Sequence, residues 1–212
     1  ASAHLAAEDA RTGLVTLDMG GTSCDIAFIE GGAPLEVTES VIARRPLGVP
    51  ALDLTTISAG GGSIARIDPG GFLVVGPDSA GADPGPVCYS RGGTVPTTTD
   101  AALVLGYIGA DTFAGGRVTL DRAAAEAAIT EIGKKVGLGM QACASGIVTI
   151  AEHQMADLIR RMTIQKGFDP RDFVLFSFGG AGPMHAGVFA FELGIKKVIV
   201  PQGRMASTWC AF

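Results

Sequence analysis

The chain has 212 residues, 47% hydrophobic and 17% charged, with a formal net charge of −5. It can bury a core, while its acidic balance and 6% aromatic content exclude a basic nucleic-acid-binding face and a base-stacking platform. Cys24, Cys88, Cys143 and Cys210 form no CxxC pair, which excludes a zinc ribbon or disulfide framework and suits a reducing cytosol.

Taken in chain order, Ser2–Arg11 reads as the end of a helix stopped by Gly13. Strands are predicted over Leu14–Met19 and Asp25–Glu30, with a glycine-bearing turn between them, and a third over Leu35–Ser40 completes a meander. Leu52–Ser58, Ser63–Asp68 and Phe72–Val75 are again strand-like. The segment Gly76–Asp100 holds four of the 11 prolines and is expected to be an extended, ordered, functional loop. Helical patterns follow over Thr99–Leu105, Asp121–Val136 and Gln141–Lys166, the last closed by Gly167. The apolar run Phe173–Phe178 reads as a buried strand, Met184–Leu193 as a helix entered through Pro183, and Lys196–Pro201 as the next buried strand. Strand, helix, strand implies a parallel pair with a right-handed crossover. No apolar run approaches a membrane span of ~18 residues, so a soluble, cytoplasmic chain is expected. The abrupt ends suggest a piece of a longer protein.

Three glycine-rich turns carry the candidate chemistry. In "LDMGGTSCD" an aspartate follows an apolar strand directly. A phosphate chain needs backbone N–H donors that approach closely, which glycine permits, and its divalent cation needs hard oxygen ligands. Asp18 would organise Mg²⁺, Gly20 and Gly21 would supply backbone, Thr22 and Ser23 hydroxyls, and Asp25 would pin the turn. The competing reading is a plain hairpin whose Gly-Gly merely satisfies turn geometry. A buried-edge carboxylate is costly unless employed, which favours the first. In "SFGGAGPMHA", Gly179, Gly180 and Gly182 join a buried strand to a helix start, so N–H groups and the helix dipole face the strand ends. This turn matches neither a Walker loop nor GxGxxG; its glycines either admit a nucleotide or only allow close packing. In "SAGGGSIARI", Gly60, Gly61, Gly62 and Ser63 either reach phosphate or substrate, or form a tight bend.

The remaining polar residues take blander roles. His185 and His153 read as structural histidines and Cys88 as a buried filler. Asp100 reads as a cap or first-turn acid, and Arg160–Arg161 as a solvated or interdomain helix face.

With the three turns in this order, the sequence resembles the hydantoinase A / 5-oxoprolinase family, which includes subunits of ATP-dependent acetone and acetophenone carboxylases. The matching pieces are "TLDMGGTSCDIAFIEGG", "TISAGGGSIARID", "VGPDSAGADPGPVCYSRGGTVPTTTDA", "RRMTIQKGFDPRDFVLFSFGGAGPMHA" and "ELGIKKVIVP". The resemblance implies an α/β fold: an actin-like or Hsp70-like (ribonuclease H-like) ATPase lobe, a meander followed by helices and a βαβ unit. Residues 1–212 would be mainly the second lobe of a two-lobed protein, with an insertion at about 50–100 and an upstream first lobe absent. "DMGGTSCD" would be the phosphate hairpin and "SFGGAGP" the adenosine motif. Gly60, Gly61, Gly62, Ser63 and the loop around Asp83 would face substrate or partner.

The implied activity is ATP- and Mg²⁺-dependent phosphorylation of a cyclic amide of hydantoin or 5-oxoproline type to drive ring opening. The alternatives are a ketone carboxylase subunit and a non-catalytic nucleotide switch. A hydantoinase B-type partner subunit and an oligomer are implied. Thr55 stands where the family often has a histidine, which puts a further divalent metal in doubt, and Cys24 and Ser90 also depart from the pattern.

Overall fold

The computed structural model describes residues 12–42 and 45–201. The helix expected over Ser2–Arg11, His4, Cys210 and the terminal "MASTWCAF" lie outside the described residues. In chain order the strands are β1 (Leu14–Met19), β2 (Cys24–Glu30), β3 (Ala33–Pro34), β4 (Glu36–Val37), β5 (Ser40–Ile42), β6 (Arg45–Leu47), β7 (Ala51–Leu52), β8 (Leu54–Ile57), β9 (Ser63–Ile67) and β10 (Leu73–Ser79). Helices α1 (Thr98–Leu105), α2 (Arg122–Lys135) and α3 (Met140–Gln165) follow, then β11 (Val174–Phe178), α4 (Gly182–Leu193) and β12 (Val198–Ile199). The described residues group into two compact units. One comprises residues up to Met19, Cys24–Ile57 and from Ala156 on; the other comprises Gly20–Ser23 and Ser58–Met155.

The first unit is built on a six-stranded sheet in the order β12-β11-β1-β2-β3, with β8 also paired to β2. β1 lies antiparallel to β2 and parallel to β11. That central place explains its sequence, because Leu14, Val15 and Leu17 are fully buried, as a strand covered on both faces requires. β11 is buried at every residue and pairs in parallel with β12, the two joined through α4. This is the expected α/β lobe, a meander followed by a βαβ unit.

The third strand differs from expectation. Leu35–Ser40 is not continuous: β3 reaches only Pro34, β4 pairs with β7, and β5 with β6. Proline lacks the N–H a ladder needs, so β2 is flanked by Ala33–Pro34 beside Ile29–Glu30 and by β8 beside Cys24–Ala27. Behind β2, the rings of Phe28, Phe168 and Phe173 meet at centroid distances of 5.3 to 6.3 Å, in the tilted and edge-on geometries such rings prefer.

The second unit packs the β9–β10 hairpin with α1, α2 and the first part of α3 around Ala65, Leu103, Ile129 and Ile147, all fully buried. β10 runs on to Ser79, so the proline-rich segment starts later than expected. It contains a short 3₁₀ turn at Val87–Tyr89 and returns along β9, where Ala65 N–H donates to Pro96 O at 2.8 Å. Helix α1 begins one residue early, with Thr97 as its N-cap and a full Thr97/Asp100 capping box. No described helix is long and apolar enough to cross a membrane.

Candidate functional site

In the first unit, Asp18 stands near the end of β1, in register with Asp25 of β2 and Phe178 of β11. It is half-buried while its neighbours Leu17 and Met19 are buried. The turn after β11 folds directly onto it. Gly179 has φ +84°, and a Cβ there would lie 2.5 Å from Asp18 Oδ1 and 2.5 Å from Met19 O. Ala181 N–H donates to Met19 O at 2.9 Å. Glycine at 179 is therefore required twice, by backbone conformation and by the carboxylate beside it. The structure thus joins the first and second sequence motifs at one point.

Helix α4 starts at Gly182, with Pro183 in its first turn and no side-chain cap from Ala181, so its first N–H groups carry the positive end of the helix dipole. Gly182 makes room for Ser177, whose Oγ would sit 2.9 Å from a Cβ there. Nothing lies within 4 Å of a Cβ at Gly180. Asp25 accepts a hydrogen bond from Thr56 Oγ1 at 2.5 Å, so it ties β8 to β2 rather than pinning the turn. Burial pushes the Cys24 thiol up to about 12, with the charges of Asp25 and Asp18 adding to it.

In the second unit, the turn Gly20–Ser23 is closed by Gly20 N–H donating to Ser23 O at 3.0 Å. Neither Gly20 nor Gly21 has a positive φ. A Cβ at Gly21 would meet nothing within 4 Å, and one at Gly20 only Ser23 O at 3.9 Å. The plain-hairpin reading asked glycine to supply left-handed backbone, and that need is absent.

The third motif lies against the first. Gly61 N–H donates to Gly20 O at 3.1 Å and Gly62 N–H to Gly21 O at 2.5 Å. A Cβ at Gly60 would come within 2.7 Å of Gly20 O, and one at Gly62 within 2.8 Å of Gly21 O. Gly60 N–H donates to Ser63 Oγ at 3.0 Å. The N–H groups of this loop are thus engaged inside the unit. Those of Gly21 and Thr22, both exposed or partly so, donate to no described residue. Asp83 is exposed on the proline-rich loop.

The residues that sequence reasoning passed over are Thr98 and Thr99. Thr99 N–H and Oγ1 both donate to Gly61 O at 2.8 Å. Thr98 Oγ1 approaches Ser63 O at 3.5 Å. The one available signal was the run "TTTD", with more hydroxyls than a capping box uses. Asp100, fully buried, accepts from Val87 N–H, Cys88 N–H, Thr97 N–H and Thr97 Oγ1 at 2.8 to 3.2 Å. It is a structural anchor for the proline-rich loop as well as a cap. Cys88 is buried, and its thiol is pushed up by burial and by the nearby Asp100 charge, as a protonated filler would be. His185 is buried with its ring stacked on Phe189 at 5.9 Å. Arg160 donates to Glu192 O at 2.7 Å and pairs with Asp157, so it braces α4 rather than standing solvated. Among the described residues no three His, Cys, Asp or Glu side chains gather to form a metal cage.

The first unit is an α/β lobe with a half-buried carboxylate, Asp18, near the end of a central strand. The hydantoinase/oxoprolinase family model matches residues 1–212, and the chain belongs to that family. It is 46% identical over 200 residues to caprolactamase subunit alpha of Pseudomonas jessenii, covering 94% of this chain and 28% of the relative. It is 42% identical over 213 residues to the acetophenone carboxylase gamma subunit of Aromatoleum aromaticum, covering 99% of this chain and 29% of the relative. The crystal structure of the ATP-dependent caprolactamase from Pseudomonas jessenii superposes with a TM-score of 0.88 at 45% identity, over 99% of this chain and 30% of that one. The chain therefore spans under a third of the length of these relatives.

Proposed function

We propose that this chain supplies phosphate-binding elements of an enzyme that uses ATP to phosphorylate a cyclic amide and so drive its ring opening. The observation that carries the reading is the turn after Asp18. Neither Gly20 nor Gly21 needs left-handed backbone, a Cβ at either meets no described atom closer than 3.9 Å, and the Gly21 and Thr22 N–H groups donate to no described residue. A glycine kept without a local reason costs about 0.4–1 kcal/mol of stability, and a ligand that must approach the backbone supplies the reason.

The roles follow. Gly21 and Thr22 N–H, with the Thr22 and Ser23 hydroxyls, hold the β- and γ-phosphates. Gly179, Gly180 and Gly182, at the start of α4, take the adenosine side. Mg²⁺ takes one or two carboxylates and keeps several waters beside phosphate oxygens. One half-buried carboxylate, Asp18, with hydroxyls close by in the chain, fits that donor set, and bound Mg²⁺ would neutralise charge developing on the phosphates. Asp18 also orients the attacking group. Exposed Asp83 belongs to the side that meets substrate or a hydantoinase B-type partner subunit, while the buried Gly60, Gly61, Gly62 and Ser63 support the phosphate turn from within the unit. Phosphoryl transfer asks a protein mainly for positioning and charge neutralisation, and this donor set supplies both. Transfer to the amide oxygen converts an unreactive carbonyl into one that water opens. The buried free thiols Cys24, Cys88 and Cys143 suit a cytoplasmic setting.

The similarity to an acetophenone carboxylase subunit supports a second reading, in which the same phosphorylation activates a ketone enolate or bicarbonate. The two are separated by measuring phosphate release from ATP by the whole protein in the presence of lactams, hydantoins and 5-oxoproline, and of ketones with bicarbonate. Release driven by a cyclic amide supports the first reading. Release driven only by ketone and bicarbonate replaces it with the second. Asp18→Asn lowers either activity on the order of 10²–10³-fold.

A further inference from the structure

We infer that Thr99 is a positioning residue for the phosphate turn and acts on it through the Gly61–Gly62 peptide. The inference rests on the phosphate-binding reading of Gly20–Ser23. Its basis is a run of hydrogen-bonded peptide groups within the second unit. Thr99 N–H and Oγ1 both donate to Gly61 O, each at 2.8 Å, so that carbonyl has two donors from one residue. The same planar peptide carries the Gly62 N–H on its other edge, and that N–H donates to Gly21 O. The Gly21 carbonyl in turn shares its peptide with the Thr22 N–H, which donates to no described residue.

These peptides are trans, so the N–H and C=O of each point in opposite directions. Pinning Gly21 O against the Gly60–Gly62 loop therefore aims Thr22 N–H away from that loop. The neighbouring peptide repeats the arrangement, since Gly61 N–H on Gly20 O fixes the direction of Gly21 N–H. Successive hydrogen bonds polarise one another, so the Thr99 bonds strengthen the donors at the far end as well as orienting them.

The surroundings make Thr99 a fixed point. It is 8% exposed, it follows the fully buried Thr97 and Thr98, and the next residue is the anchored Asp100. The space is closed on the other side too, because a Cβ at Gly61 would lie 2.6 Å from Thr99 Oγ1. The loop of Gly60–Gly62 is thus a spacer between a rigid helix start and a phosphate turn, and its glycines allow two backbones to meet.

The test is made on the whole protein with Thr99→Val, which keeps shape and loses the hydroxyl, and Thr99→Ser, which keeps the hydroxyl. A fluorescent ADP analogue with Mg²⁺ reports binding, and phosphate release reports turnover. The inference predicts that Thr99→Val lowers kcat by about tenfold or more with a smaller change in KM, and that Thr99→Ser restores most of it. Wild-type turnover and affinity in Thr99→Val, or a Thr99→Ser as poor as Thr99→Val, overturns it. A wild-type protein that binds no nucleotide overturns the reading beneath it, and so the two failures are distinct. Amide exchange on the unmutated protein is a second arm that needs no variant to fold. Nucleotide should protect residues 60–62 together with 20–23, and protection confined to 20–23 overturns the inference.

Discussion

Gly179 and Asp18 are the closest meeting of two sequence motifs. The carboxylate oxygen occupies the space a side chain at 179 would need, and the backbone there is left-handed. Gly179→Ala should cost about 2 kcal/mol or more in stability, read as a lower denaturation midpoint, and should also displace Asp18. Asp18→Asn keeps the volume and the fold. It should lower ATP turnover on the order of 10²–10³-fold with the melting temperature nearly unchanged. Cys24 gives a prediction in pH. Its thiol ionises near 9 when unfolded and is pushed up to about 12 in the fold, so the native state holds its proton where the unfolded state has lost it. Its contribution is fully present below pH 9 and is lost as pH rises from 9 to about 12. Urea titrations of the wild type and Cys24→Ala across that range should converge as pH rises; a constant difference would contradict the assignment. At this scale the sequence singled out Asp18, Gly20 and Gly21 as candidates, because a carboxylate directly after an apolar run is unusual. The contact of Gly179 with Asp18 was not, because it joins positions far apart in the chain.

At the level of elements, the proline-rich segment is held by a helix start. One buried carboxylate, Asp100, satisfies Val87, Cys88 and Thr97 together, so the loop and the first turn of α1 form one unit of order. Asp100→Ala leaves those buried donors without their acceptor, and should destabilise by about 3 kcal/mol or more. Limited proteolysis should then cut first between residues 80 and 97, and an unchanged digestion pattern would refute the anchoring. Most elements were legible for a plain reason. β1, β2, β11 and the helices carry continuous or periodic apolar patterns that burial demands. The strand expected over Leu52–Ser58 is present as β8, but the stretch from Leu35 to Leu52 was not legible, because its short strands β4 and β7, and β5 and β6, pair with one another and Leu52 is 59% exposed. With no buried face to enforce a period, pattern reading has little to work on. Thr98 and Thr99 were missed because their partners are carbonyls of a distant loop, and carbonyls leave no mark in a sequence.

For the first unit as a whole, the order of strands β12-β11-β1-β2-β3 sets the turn after β11 beside the end of β1, where Gly179 meets Asp18. Family membership was legible from the quoted motifs, and the family model matches residues 1–212. What exceeded the sequence was the reason for each glycine. Gly60, Gly61, Gly62 and Gly179 serve close packing within the chain, whereas Gly20, Gly21 and Gly180 do not. This distinction leads to the most direct test of the phosphate-turn account, a titration of the whole protein with Mg²⁺ and an ATP analogue, comparing the wild type with Gly21→Val. A Cβ at 21 meets no described atom within 4 Å, so stability should stay within about 0.5 kcal/mol. Affinity should nevertheless fall by about tenfold or more, or ~1.4 kcal/mol. A Gly21→Val protein that folds as the wild type does and binds the analogue equally well would contradict the account.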